Sequence, residues 1–223
     1  DEAGGIVHIL GNKVGLYDYA RIDISGDAGG GLLLVGGDYQ GLGSIPTALE
    51  NYVGPNVSIF ADAVTGGNGG RTIFWADRRT EFFGTIRSRG GRLFGDGGFA
   101  EVSGKEELYF AGSVDTTAAN GKSGTLLLDP DTITISGGSG TASASGAASF
   151  TTYEDVLESV ASTTNIDMLA TSSITLGNSL SFAQTSGQSV TFTATNGNIS
   201  FSDSSDKIET SGGSIVMSAG GTL

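Results

Sequence analysis

The sequence predicts an all-β chain folded as a parallel β-solenoid, because short strand patterns recur at a nearly constant spacing. Glycine pairs precede apolar runs, beginning at Gly4, Gly30, Gly69 and Gly97, and a degenerate copy begins at Ser123. The spacings are 26 (30 − 4), 39 (69 − 30), 28 (97 − 69) and 26 (123 − 97) residues. Repeats of this length are typical of solenoids, in which each coil buries its apolar residues by stacking on the next.

The run after each glycine pair alternates between two faces, as a half-buried strand does. We expect its inward residues to be Val7 and Ile9, Leu33 and Val35, Thr72 and Phe74, Ala100 and Val102, and Leu126 and Leu128. A second alternating run follows in each repeat and predicts a second strand. Its expected inward residues are Ile22 and Ile24, Ile59 and Ala61, Ile86 and Ser88, and Val114 and Thr116.

The one long repeat indicates an insertion. Its two strands lie 26 positions apart (59 − 33), whereas those of its neighbours lie 14 or 15 apart (86 − 72 and 22 − 7). We place the insertion at about residues 41–52, at a solvent-facing corner, and expect that deleting residues 42–51 leaves the solenoid folded. Its apolar residues form a possible recognition loop, or pack against the flank of the solenoid: Leu42, Ile45, Leu49 and Tyr52.

Composition excludes several classes of protein. The net charge of −13 disfavours a general nucleic-acid binder, which needs a basic surface. The absence of cysteine removes disulfides, thiolate metal sites and thiol catalysis. No apolar run reaches the ~20 residues of a membrane-spanning helix. Glycine is abundant, but the chain has no Gly-X-Y period and only 3 prolines, which excludes collagen.

The chain divides into three predicted regions. Residues 1–136 carry the glycine-pair repeats, residues 137–150 form a loop rich in Ser, Ala and Gly, and residues 151–223 begin with a helix and continue as a Ser/Thr-rich solenoid. The helix is expected near 152–162, with Thr151 and Glu154 as a capping box. Its apolar residues have helical spacing: Tyr153, Val156, Leu157 and Val160.

Motifs within residues 4–11, 35–41, 52–55, 96–105 and 124–130 together resemble filamentous-haemagglutinin-like exoproteins, the secreted passengers of two-partner secretion. The resemblance covers residues 4–135 and is looser beyond residue 150. It implies a right-handed parallel β-helix, export through an outer-membrane transporter partner, and roles in adhesion, biofilm formation or contact-dependent competition. The secretion domain of such proteins is not recognised in this chain, so its recognition residues are not carried over.

Basic residues concentrate in one part of the sequence. Six of the 11 fall within 22 positions (92 − 71 + 1): Arg71, Arg78, Arg79, Arg87, Arg89 and Arg92. On stacked strands they form a possible basic stripe for an anionic glycan. The alternative is that they are solvated outward residues, paired with Asp77, Glu81 and Glu101.

The sequence does not predict an enzyme, a metal site or a cofactor. The single histidine, His8, lies between two inward residues and should face outward without a catalytic partner. No close pair of outward acids on neighbouring coils stands out, although a carbohydrate-cleaving site needs one. Four aspartates are expected to cap turns, because the glycine- and aspartate-rich calcium repeat is absent. They are Asp62, Asp96, Asp129 and Asp131.

We therefore expect a structural rod segment of a secreted bacterial surface adhesin or extracellular filament. Its expected partners are the transporter during export and a glycan or protein on a host or neighbouring cell. Both ends of the sequence resemble ordinary repeat strands, so we expect them to continue into more chain or into another copy stacked end to end. The alternative is a carbohydrate-binding or carbohydrate-cleaving β-helix protein.

Overall fold

The computed structural model of the protein describes residues 2–138 and 150–223, and these form a parallel β-helix. Most coils place a strand segment on each of three faces. The fold class predicted from the glycine-pair repeat is therefore confirmed.

The first four coils occupy the N-terminal half of the chain. Coil 1 contains β1 (Ile6–Ile9), β2 (Lys13–Leu16) and β3 (Arg21–Asp23), and coil 2 contains β4 (Leu32–Val35), β5 (Ala48–Val53) and β6 (Ser58–Phe60). In coil 3 the long strand β7 (Arg71–Phe82) spans two faces and is followed by β8 (Thr85–Arg87). Coil 4 contains β9 (Phe99–Gly104), β10 (Glu107–Phe110) and β11 (Ser113–Asp115).

The remaining coils are less regular. Coil 5 contains β12 (Thr125–Leu128), β13 (Thr132–Ser136), β14 (Phe150–Tyr153) and the helix α1 (Glu154–Glu158). Coil 6 contains β15 (Asn165–Ala170), β16 (Ser173–Leu176) and β17 (Leu180–Phe182), and coil 7 contains β18 (Ser189–Ala194), β19 (Ile199–Phe201) and β20 (Ile208–Thr210). Coil 8 contains β21 (Ser214–Ala219).

The first face is an in-register parallel ladder that runs through all eight coils, in the order β1-β4-β7-β9-β12-β15-β18-β21. One inward column is Val7, Leu33, Thr72, Ala100, Leu126, Ile166, Val190 and Ile215. On the third face, β3, β6, β8 and β11 align Ile22, Ile59, Ile86 and Val114. The inward residues predicted for both strands pack in the core.

Each of the first four coils has a third strand segment that was not predicted from the sequence. It forms the second face, where β2, β5, the C-terminal part of β7 and β10 pair in parallel. Two of its inward residues are polar and buried, Asn51 and Thr80. Asn51 Nδ2 donates to the Trp75 carbonyl at 2.7 Å, and Thr80 Oγ1 donates to the Ser103 carbonyl at 2.7 Å. These bonds give the two buried polar side chains hydrogen-bond partners inside the core.

The glycine pairs mark the corner where one coil closes and the next begins. Gly98 donates its N–H to the Ser88 carbonyl of the preceding coil at 2.7 Å, and Gly124 donates to Thr116 at 2.9 Å. The first glycine of a pair needs the space itself, since a Cβ on Gly97 would lie 1.8 Å from the Thr116 oxygen. Close backbone approach is therefore the physical reason for the repeat.

The helix is confirmed in position but is shorter than expected and starts later. It spans five residues, and its N-cap is Tyr153, which makes no side-chain capping bond. The predicted capping box is wrong because the chain up to Tyr153 is strand β14, paired with β13. The helix and the segment after it replace a third-face strand: Thr116 N donates to Thr164 Oγ1 at 3.1 Å, and Gln184 Nε2 donates to the Thr164 carbonyl at 3.1 Å.

The ladder passes from β12 directly to β15, so both halves of the chain share one first face. The loop predicted at 137–150 lies, except at its ends, outside the described residues. Within residues 2–138 and 150–223 there is no helix of the length and hydrophobicity needed to cross a membrane.

Candidate functional site

The insertion of coil 2 is the segment Gly37–Thr47, called the strap below. Val35 aligns with Phe74 and Ala48 with Ala76, so coil 2 uses 13 positions (48 − 35) where coil 3 uses two (76 − 74), an excess of 11. The predicted bounds of 41–52 are wrong, because residues 48–53 form strand β5 and pair on both sides.

The strap covers outward apolar residues of the first face. Leu34, Ile73 and Trp75 are all buried there, and Ile45 of the strap packs against them. Gly41 has a left-handed φ of 64°, and a Cβ on it would lie 2.4 Å from the Trp75 ring. Trp75 Nε1 donates to Asp77 Oδ1 at 3.1 Å. The strap therefore covers the Trp75 side chain, which is only 6% exposed.

Near the start of the strap, just before Gly41, Gln40 contacts acidic residues on two later coils. Its backbone N–H donates to Glu101 Oε1 at 3.0 Å, and its side-chain Nε2 donates to Asp129 Oδ2 at 2.9 Å. Gln40 has a left-handed φ of 53°, which costs a non-glycine residue about 1–3 kcal/mol. The two hydrogen bonds to carboxyl oxygens offset that cost.

The environment of the two acids disfavours their charged forms. Burial raises the pKa of Glu101 to about 7, and the Asp129 carboxylate adds to this effect. The Gln40 N–H and, more weakly, the Arg71 guanidinium lower the pKa of Glu101. Burial also raises the pKa of Asp129, against the hydrogen bond from Gln40. The Glu101 carboxyl is therefore only partly ionised at neutral pH.

Two neighbouring acids with raised pKa values are the groups that acid–base chemistry requires. The sequence reading placed Glu101 among the partners of arginines and Asp129 among turn caps, and found no acid pair on neighbouring coils. The structure corrects this last point, because Glu101 lies on coil 4 and Asp129 on coil 5, joined by Gln40. Glu101 is fully buried under the strap, so no substrate atom reaches it in this conformation.

The residues of the predicted recognition loop do not form one surface. Leu42 is exposed, whereas Ile45 packs under the strap. Leu49 and Tyr52 belong to strand β5, and Tyr52 stacks on Tyr17 with ring centroids 5.1 Å apart. Of the four, only Ile45 packs against the outward apolar residues of the first face.

The structure places the six arginines in three groups. Arg71 lies on the first face, with its guanidinium 4.9 Å from the Tyr39 ring centroid and 4.5 Å from that of Phe99. Arg78 and Arg79 lie in β7 and pair with Glu50 and Glu81 respectively. The other three line a depression of about 450 Å³ on the third face: Arg87, Arg89 and Arg92.

In this depression, Asp62 is held by two arginines. Asp62 Oδ2 accepts from Arg87 Nε at 2.7 Å and from Arg89 at 3.1 Å, and Oδ1 accepts the Arg89 backbone N–H at 2.9 Å. Asp62 is nearly buried, so it does more than cap a turn. Asp62 therefore balances one of the three positive charges of this depression. His8 is exposed, as expected.

Among residues 2–138 and 150–223, no three acidic or histidine side chains come together as a metal site. No protein-family model and no curated protein matches the chain.

Proposed function

We propose that the chain is a rod segment of a secreted bacterial surface adhesin or extracellular filament. The observation that carries the proposal is the in-register parallel ladder of eight strands on the first face. Strands in such a ladder are about 4.8 Å apart, so each coil adds a fixed increment of length. A stack of this kind holds attached parts at a set distance from a cell.

The composition and motifs of the chain support a surface location. The resemblance to two-partner secretion passengers implies export through an outer-membrane transporter, and a chain without cysteine crosses an oxidising compartment without forming disulfides. The partners would be that transporter during export, and a glycan or protein on a host or neighbouring cell afterwards. End-to-end stacking of copies through β1 and β21 belongs to the same proposal, because a sheet edge accepts a further strand.

The rod geometry is measurable with two spin labels. The chain has no cysteine, so His8→Cys and Val216→Cys give unique labelling sites. Both residues are exposed and belong to one outward column, seven strand spacings apart. Seven strand spacings place the two backbone positions about 34 Å apart. We therefore expect a narrow distribution of distances between the two spin labels, centred close to this value. A broad distribution in buffer, like that of the same chain in urea, would rule out a rigid rod.

Surface export needs a separate experiment. The chain is placed between the secretion domain of a two-partner system and an epitope tag, in a Gram-negative host with or without the matching transporter. We expect the tag on the cell surface only when the transporter is present. Periplasmic retention in both strains would contradict the export part of the proposal.

The second candidate is a carbohydrate-cleaving β-helix. The acid pair of Glu101 and Asp129 would supply its acid and base, and the strap would have to open before a substrate could reach Glu101. A reducing-sugar release assay on plant, algal and bacterial polysaccharides tests it. Activity that disappears in Glu101→Gln and Asp129→Asn would favour cleavage over the rod reading. Equal background release from all three proteins would remove this candidate.

A further inference from the structure

The strap is attached to the solenoid at two places of different character. At its C-terminal end, Thr47 Oγ1 donates to Asp77 Oδ2 at 2.5 Å, and Asp77 is only half-buried. Near its N-terminal end, Gln40 donates to Glu101 and Asp129. Glu101 is fully buried, so this second attachment depends on a carboxyl group that water does not reach while the strap is closed.

The closed strap holds the two carboxyl groups close together. Both oxygens of Glu101 face the Gln40 N–H, at 3.0 and 3.3 Å, and Asp129 Oδ2 accepts from the side chain of the same residue at 2.9 Å. Within the part of the chain that the structure describes, neither acid forms an ion pair. Loss of the last proton from this pair therefore leaves two like charges under the strap.

The surrounding charges do not compensate for a doubly ionised pair. Arg71 of coil 3 is the basic group that faces Glu101, and it lowers the pKa of that carboxyl. Asp129 of coil 5 raises the pKa of Glu101, and the outward column of Glu101 continues to Asp167 of coil 6, whose pKa burial also raises. The strap adds Asp38, which accepts the next backbone N–H at 2.7 Å. One cation thus stands among four acids.

The backbone of the strap is held loosely apart from Gln40. Among the described residues, the Gln40 N–H is the only backbone donor of the strap that bonds to another coil. Gly36 and Gly43, on either side of it, have left-handed φ values of 71° and 86°. Leu42 is 63% exposed. Segments with few bonds to their surroundings and with glycines near their ends are those that open locally.

We propose that the strap is a proton-controlled lid, which closes while the acid pair under Gln40 holds a proton and opens when both carboxyls are ionised. The direction follows from linkage, because the closed form binds a proton that the open form releases. A carboxyl group whose pKa rises from 4.5 to about 7 on closure makes opening about 300-fold more favourable at pH values above both than below both. Opening therefore occurs as the pH rises through 7.

Opening changes the surface of the first face without disturbing the ladder beneath it. The outward residues Leu34, Ile73 and Trp75 are buried under the closed strap and become accessible to solvent. The strands that carry them remain paired on both sides, since none of those pairings involves the strap. This inference goes beyond the proposed function, because a rod needs no lid.

Trp75 is the only tryptophan of the chain, so its fluorescence reports directly on the strap. The test measures acrylamide quenching of the full 223-residue chain at pH 5.5 and pH 8.5, without denaturant. We expect the quenching constant to be at least about threefold larger at pH 8.5, because the open form becomes the major one. Far-UV circular dichroism should be the same at both pH values. A variant that lacks the strap, Gly37–Thr47, gives the value for an uncovered indole.

Three substitutions separate the acid pair from other titrating groups. Glu101→Gln keeps the shape of the side chain without its charge, and its quenching should stay low at both pH values. Asp129→Asn removes the like charge and should reduce the increase. Glu106→Gln is the matched control, because Glu106 is an exposed glutamate of the same coil, and it should follow the parent chain.

The proposal is overturned if quenching of the parent chain is equal at the two pH values, or if Glu101→Gln shows the same increase as Glu106→Gln. If Glu101→Gln does not fold, an undiminished increase in Asp129→Asn has the same meaning. An increase that accompanies loss of the circular dichroism signal is global unfolding and also counts against a lid. The spin-label distance and the surface export of the tag do not depend on the strap, so failure of the lid is distinct from failure of the rod.

Discussion

Gln40 donates its backbone N–H to the Glu101 carboxylate at 3.0 Å, although 61 positions separate the two residues in the sequence. The strap thereby ties coil 2 to coil 4, and through the Gln40 side chain to Asp129 of coil 5. Stacking contacts in a solenoid join neighbouring coils only. The strap is thus an additional restraint, and its chemistry depends on the protonation of a buried acid.

We expect the stability of the fold to fall as the pH rises from about 4.5 towards 7 and then to level off. Burial raises the pKa of Glu101 from 4.5 to about 7, so the folded state binds a proton that the unfolded state releases in this range. The free energy of unfolding should decrease by an amount on the order of 3 kcal/mol across it. Glu101→Gln should remove this part of the pH dependence and be the more stable protein at pH 8.

Urea unfolding of both proteins between pH 4.5 and 8.5 measures this difference. Glu106→Gln is the matched control, because Glu106 is an exposed glutamate of the same coil, and it should follow the parent chain at every pH. A constant difference between the parent and Glu101→Gln would show that the Glu101 carboxyl does not titrate with a raised pKa.

Deleting the whole strap, Gly37–Thr47, should leave a folded solenoid. Val35, Gly36 and Ala48 would then take the positions that Phe74, Trp75 and Ala76 hold in coil 3. Trp75 is the only tryptophan, so a red shift of its fluorescence in a still cooperative protein is the expected signature. Uncovering a large apolar side chain costs about 1.5–3 kcal/mol.

Deleting residues 42–51 is the matched comparison for the strap deletion. It removes the buried Ala48 and Asn51, and with them much of β5. We expect this variant to lose cooperative unfolding, which reverses the expectation from the sequence, because residues 48–51 belong to β5 and not to the insertion. Equal stability of the two deletions would show that β5 is dispensable and that the strap is not the inserted segment.

The glycine pairs give a prediction with an internal control. Gly97→Ala places a methyl group 1.8 Å from the Thr116 oxygen and 2.4 Å from Gly124 N, so the corner must open. We expect a loss of at least about 2 kcal/mol in the free energy of unfolding. Gly5→Ala meets no atom within 4 Å and should change stability by less than ~0.5 kcal/mol. Similar chemical denaturation curves for both variants would contradict this explanation of the repeat.

The Asp62 clamp should matter more than an exposed ion pair on the same face. Asp62→Ala leaves Arg87 and Arg89 without their shared acceptor, and we expect a loss of about 2 kcal/mol. Asp23→Ala removes an exposed pair with Arg21 and should cost less than ~1 kcal/mol. The comparison is made by urea unfolding at pH 7, and the reverse order would mean that the clamp is not structural.

The parts of the fold predicted from the sequence are those where inward positions are apolar and regularly spaced. Ile22, Ile59 and Ile86 reveal the third face because this inward position is β-branched in each of the first four coils. In coils 2 and 3 the second face was missed because Asn51 and Thr80 occupy inward positions, so the apolar alternation that signals a strand is interrupted. The structure explains the polar side chains of Asn51 and Thr80, because each donates a hydrogen bond to a backbone carbonyl of the next coil.

The acid pair lay beyond sequence reasoning for a different reason. Glu101 follows Ala100 and precedes Val102, which is the pattern of an ordinary outward residue on a half-exposed strand. Its burial depends on the path of the strap, and no periodicity encodes that path. The same holds for Asp129, whose partner Gln40 lies 89 positions away.

The strap also bears on the order in which the stack is completed. A chain that emerges N-terminus first presents Gln40 long before Asp129, and the bond from the Gln40 side chain to Asp129 forms only once coil 5 is in place. Closure of the strap on Asp129 therefore marks the point at which coils 2–5 are all folded. Repeat arrays usually unfold by fraying one coil at a time. Fraying within coils 2–5 would require the strap to open first. A protease that cuts within the strap would therefore report on whether coil 5 has formed.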